Sequence, residues 1–104
     1  VARAVRRTRA ELAIRGDVYG HDALAWTLFK AGRLEEAATQ AQAALALGTP
    51  DPRIAYHAGL IAAAQGDTAR ALPLLRLAVR GISLLPPLQQ PRAHAALAAL
   101  EQPR

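Results

Sequence analysis

The sequence repeats itself with a period of 34 residues, and this repeat constrains the fold more than any other feature. The stretch DALAWTLFKAGRLEEA, which begins at residue 22, is followed 34 residues later by YHAGLIAAAQGDTARA. Each copy has an apolar run, a turn with glycine and a second run rich in alanine. Repetition at periods of about 20–50 residues is typical of proteins built from stacked units. Across the single repeat that begins at Asp17, the residue pairs that are identical at this offset are Asp17 and Asp51, Gly32 and Gly66, Ala37 and Ala71, and Ala44 and Ala78.

The repeated residues predict two helices in each unit. Asp17 and Asp51 each precede a helical pattern and are predicted to be N-caps, and Pro52 follows the second at a favoured helix start. Gly32 and Gly66 each separate two helical patterns, where glycine commonly ends a helix. The helices are predicted near residues 18–31, 34–47, 52–65 and 68–80.

The composition supports an all-α fold. Ala and Leu dominate the 52% of residues that are hydrophobic, and both are strong helix formers, whereas β-branched residues are sparse. The 104 residues suffice for one domain with a modest core. Without cysteine, disulfides and thiolate chemistry are excluded. The chain also has no Met, which predicts a fragment or processed form of a longer protein and leaves its localisation open.

These features resemble the tetratricopeptide repeat, a family of 34-residue helix pairs that stack into a right-handed superhelix. Leu24, Ala25 and Leu28 match the family's large, small and later apolar positions in one repeat, and Gly59 supplies the small position in the next. The stretches AGRLEEA and QGDTARA look like the family's turn into its second helix. The family's early Trp is absent from both repeats. The resemblance implies an α-solenoid of antiparallel helix pairs.

The resemblance also implies an organisation for the whole chain as one domain. Residues 84–104 are predicted to form a C-terminal capping helix region, with a helix near 91–101 whose apolar stripe includes Ala93, Leu97 and Leu100. Pro73 falls inside a predicted helix and indicates a local distortion there, not a helix end. The other predicted parts are the second helix of a truncated repeat (1–15) and two whole repeats (17–50 and 51–83).

No arrangement of residues indicates catalysis. Ser83 is the single serine, and Glu35 and Glu36 are better explained as acidic residues that complement the dipole of a helix N-terminus. The histidines lack metal-ligand spacing, and His21 near Asp22 is better explained by packing. We therefore predict a chain that is not an enzyme, with no catalytic residues, no metal and no cofactor. The longest apolar run, 54–64, is far shorter than the roughly 20 residues of a membrane span.

The net charge of +5 raises the question of nucleic acid. Arginine is a good phosphate ligand, and five arginines lie in the first fifteen residues. They form no single stripe, and the aromatic platform expected of a single-strand binder is not interleaved with them. RNA or another polyanion is therefore a lower alternative. The arginines are Arg3, Arg6, Arg7, Arg9 and Arg15.

The best candidate site is the flank of the first helix in each repeat. If His21, Leu24, Ala25 and Leu28 form the packing face, the turn of about 100° per residue places every aromatic residue of the chain on that flank. In the tetratricopeptide family this flank lines a concave groove that binds peptides. The cationic clamp that some members use for a partner's terminal carboxylate is absent. The predicted groove residues are Tyr19, Asp22, Trp26, Phe29, Lys30, Arg53, Tyr56, His57 and Leu60.

Two functions remain open from the sequence. The first is a non-catalytic scaffold that binds a partner protein or peptide of unknown identity, with Trp26, Tyr56, Leu60 and Arg53 as leading contacts. The second is a structural spacer, or a module that self-associates through its N-terminal face. For Trp26 and Phe29 two interpretations stay open: they are groove anchors, or they pack against neighbouring helices such as the predicted helix at 1–15.

Overall fold

A computed structural model describes residues 18–47 and 51–102 of the chain. These residues form five α-helices and one short 3-10 helix, and they contain no β-strand. The first four helices agree with the predicted bounds to within one residue. The helices are α1 (Val18–Lys30), α2 (Leu34–Leu47), α3 (Pro52–Ala64), α4 (Thr68–Arg80) and α5 (Gln89–Glu101), and the 3-10 helix spans Ile82–Leu84.

The chain divides into two compact units, 1–49 and 50–104. In the first unit α1 packs against α2. Leu24, Ala25 and Leu28 are buried on α1, as predicted. The buried residues of α2 are all alanines, so the face of this helix that packs in the core carries only small side chains. They are Ala37, Ala38, Ala41 and Ala44.

A glycine turn joins the helices of each pair. Gly32 has a φ of +80° and Gly66 a φ of +78°, a conformation in which a side chain would be strained. The backbone N–H of Arg33 donates to the carbonyl oxygen of Leu28 at 2.9 Å. At the second turn the N–H of Asp67 donates to the carbonyl of Ala62 at 3.0 Å. Both turns are Schellman motifs, which confirms the predicted helix ends.

In the second unit α3 packs against α4, and α4 packs against α5. Asp51 is the N-cap of α3, as predicted: its carboxylate accepts a hydrogen bond from the backbone N–H of Arg53 at 2.8 Å. Asp67 caps α4 in the same way and was not predicted. The matching prediction for Asp17 lies outside the described residues.

Two glycines of the second unit allow close approach. A Cβ atom on Gly59 would lie 2.8 Å from Leu75 on α4, and a Cβ on Gly81 would overlap the ring of Pro52. Without a side chain at Gly59, α3 approaches the middle of α4, and without one at Gly81 the end of α4 approaches the start of α3. α4 continues through Pro73 without ending there, as predicted.

The last helix, α5, begins two residues before its predicted start, at Gln89. Pro91 is therefore the third residue of the helix, where the missing N–H has no intrahelical partner to lose. Ala93 is its buried residue, in line with the predicted stripe. No helix of the described residues is both long and apolar enough to cross a membrane. The predicted helix at 1–15 falls outside the described part of the chain.

Candidate protein-binding surface

The outward flank of α1 carries five of the predicted groove residues, and they differ in exposure. Tyr19 is 51% exposed and Lys30 is exposed, whereas Trp26 and Phe29 are half-buried. Because the buried residues of α1 are Leu24, Ala25 and Leu28, the helix separates an inner packing face from this flank. The predicted inner packing residues are confirmed as buried, and a binding role for the flank stays a prediction.

Trp26, Phe29 and Lys30 are in direct contact, and we refer to them as the α1 cluster. The rings of Trp26 and Phe29 stack with centroids 5.4 Å apart and planes inclined by 29°. The Nζ atom of Lys30 lies 5.4 Å from the centroid of the Trp26 ring, within range of a cation–π interaction. The cluster combines two partly exposed aromatic rings with a positive charge over the ring of Trp26.

His21 and Asp22 occupy the turn of α1 that precedes the cluster. The Nδ1 of His21 lies 2.8 Å from the amide oxygen of Gln40 on α2. Because an amide oxygen can only accept, Nδ1 carries the proton and donates it, so this bond ties α1 to α2. Asp22 is half-buried. No group of three or more His, Asp or Glu in the described residues could hold a metal ion.

Tyr56 on α3 was predicted to be a leading groove contact, yet its side chain is only 2% exposed. Its ring lies 5.8 Å from that of His57 at an angle of 53°. Burial raises the pKa of the Tyr56 hydroxyl above its usual 10.0, and the positive charge of Arg92 on α5 opposes that rise. A ring so deeply buried offers a partner almost no surface, and we assign it to packing.

The other predicted residues of α3 differ in how far they reach solvent. Arg53 is exposed, and its guanidinium pairs with the Asp51 carboxylate at 2.9 Å, so the pair stays close to the start of the helix. His57 and Leu60 are half-buried. The predicted groove residues thus fall into two sets, one on α1 in the first unit and one on α3 in the second.

Sequence reasoning missed two features beside these sets. The first is the electrostatic effect of Arg92 on Tyr56. The sequence could not predict it, because no periodic pattern relates α5 to α3. Leu84 and Leu88 are 60% and 78% exposed, the most exposed large apolar side chains of the second unit. The proline-rich stretch around them indicated a break in the repeat and gave no hint of exposure.

Two helix pairs, each closed by a turn with a left-handed glycine, define a helical-repeat protein. The sequence matches the family model described as tetratricopeptide repeat over residues 23–84, more than half of the chain. The chain therefore belongs to the tetratricopeptide repeat family, and the predicted resemblance and all-α fold are confirmed. Such repeats generally act as protein-interaction scaffolds. A comparison with curated proteins finds no significant match.

Proposed function

We propose that the chain is a non-catalytic module that binds a partner protein or peptide against the flank of α1. The observation that carries this proposal is the α1 cluster. Its two rings stack on each other and are half-buried, so part of each side chain remains exposed. Rigid, partly exposed aromatic side chains are the usual anchors of protein interfaces because they bring much contact area for little lost freedom.

The predicted residues of α3 form a separate candidate contact set within the second unit. Arg53 is exposed there, and His57 and Leu60 are partly accessible. We assign direct contacts to these three residues, and Tyr56 supports them through its packing.

Self-association is a second candidate function, and one observation favours it. Leu84 and Leu88 expose apolar side chains next to the start of α5. Exposed apolar side chains that lie together can form a contact surface for a second copy of the chain. Mass measurement over a range of protein concentrations tests this candidate separately, with Leu88→Ala as the variant.

The proposed function is tested with Trp26→Ala beside Leu88→Ala. Partners are first isolated from the native lysate with the wild-type protein and identified, and their affinity is then measured with purified components. Trp26 is the only tryptophan of the chain, so its fluorescence also reports contact in the wild type. We expect Trp26→Ala to weaken binding about 30-fold, the effect of losing an anchor worth roughly 2 kcal/mol. Leu88→Ala should bind like the wild type.

Circular dichroism must show both variants to be as helical as the wild type. A partner that Trp26→Ala binds with unchanged affinity would contradict the proposal and move the contact away from α1. Loss of binding with Leu88→Ala alone would instead favour the surface around the start of α5.

A further inference from the structure

We infer that the partner segment is acidic as well as apolar, and that it presents a carboxylate to Lys30 beside an apolar side chain packed on Trp26 and Phe29. The inference rests on the proposed function and adds the chemistry of the partner. It comes from how charges are distributed around the α1 cluster.

The charges around Lys30 leave its ammonium group available. The neighbouring Arg33 binds both carboxylate oxygens of Glu36, at 2.8 and 2.9 Å. Lys30 is exposed, and within the described residues its ammonium forms no ion pair; its contact is the face of Trp26 at 5.4 Å. A cation–π contact at an exposed site is weak. An incoming carboxylate can therefore pair with Lys30 without breaking a stronger interaction.

The rings beside Lys30 determine what must accompany the carboxylate. Exposed ion pairs gain little because water competes for both charges. An apolar side chain packed against Trp26 and Phe29 would exclude water from one side of the Lys30 ammonium and strengthen the pair. The cluster thus favours an acidic residue and an apolar residue close together in the partner, and it disfavours either one alone.

A random peptide library tests this inference directly. Peptides of about ten residues are displayed with both ends joined to the carrier, so that no free terminal carboxylate contributes. The whole chain is the bait, and Trp26→Ala identifies the peptides that depend on the α1 cluster. We expect these peptides to be enriched in sequences that carry Asp or Glu within about four positions of a large apolar residue.

A selected peptide is then measured against Lys30→Gln and Lys30→Arg by fluorescence anisotropy. We expect Lys30→Gln to weaken binding about fivefold, the size of one exposed charge pair, and Lys30→Arg to retain most of the affinity. A peptide whose acidic residue is changed to its amide should bind wild type and Lys30→Gln equally. This cycle separates a charge pair from a general loss of fold.

The possible results separate the inference from the function on which it rests. Enriched peptides that need Trp26 but show no acidic preference overturn the inference and leave the proposed function standing. Equal affinity of an acidic peptide for wild type and Lys30→Gln would also overturn the inference and leave the proposed function standing. If no peptide depends on Trp26, both the inference and peptide binding at α1 are wrong.

Discussion

Replacing Gly59 with alanine sets two opposing effects against each other inside the second unit. Gly59 lies in the middle of α3, where alanine favours the helix over glycine by about 1 kcal/mol. The added Cβ would lie 2.8 Å from both Cγ and Cδ2 of Leu75, and 3.4 Å from the Cβ of Leu74. Because Leu75 is fully buried, its side chain cannot turn towards solvent. Overpacking of this kind costs about 1–3 kcal/mol.

The balance predicts that Gly59→Ala lowers the free energy of unfolding by about 1 kcal/mol, since the overlap outweighs the helix propensity. Urea denaturation followed by far-UV circular dichroism measures this change directly. A domain of this size should also melt about 4–8 °C lower for each kcal/mol that is lost.

A double-mutant cycle with Leu75→Ala gives the decisive result. Removing the leucine side chain removes the overlap, so Gly59→Ala in that background should raise stability by about 1 kcal/mol instead of lowering it. Leu75→Ala alone costs about 2–5 kcal/mol, and the series is therefore measured near 15 °C, where folded proteins are most stable. If Gly59→Ala stabilises both backgrounds equally, α3 and α4 are farther apart than described and the reasoning fails.

Three further substitutions test separate parts of the fold. In Gly66→Ala the new Cβ meets no neighbour within 4 Å, but the residue must adopt a φ of +78°. Thermal melting should therefore show that the free energy of unfolding falls by about 1–2 kcal/mol. An unchanged stability would mean that the turn is not left-handed. Pro73→Ala should raise the melting temperature by restoring a hydrogen bond inside α4, and a lower one would contradict this. Burial raises the pKa of Tyr56 in the folded chain above 10.0. As the pH rises past 10.0, the unfolded chain therefore loses the Tyr56 proton first, and the stability of the folded chain should fall. Tyr56→Phe should weaken that fall.

The helices were predictable because their ends depend on local chemistry. Gly32 and Gly66 supply the left-handed residue that a Schellman turn needs, and Asp51 supplies an oxygen for an unpaired N–H at a helix start. Neither requirement involves distant parts of the chain. Where such a residue is lacking, as before Gln89 at the start of α5, the predicted boundary was wrong by two residues.

The candidate site was harder to predict because it depends on what packs around each helix. Helical periodicity placed Trp26 and Tyr56 on equivalent flanks of α1 and α3. It could not show that one ring would be half-buried and the other 2% exposed, since that difference comes from neighbouring elements. Periodicity gives the direction of a side chain around its own axis, and burial requires the tertiary structure.

The division of α1 into two faces has a consequence for how this protein can change over time. The residues that hold the helix pair together are Leu24, Ala25 and Leu28, and none of them belongs to the cluster of Trp26, Phe29 and Lys30. Substitutions in the cluster leave the inner face untouched, so a new binding preference can arise with little loss of stability. We expect related chains to keep the inner set and to vary the outer one as their partners diverge.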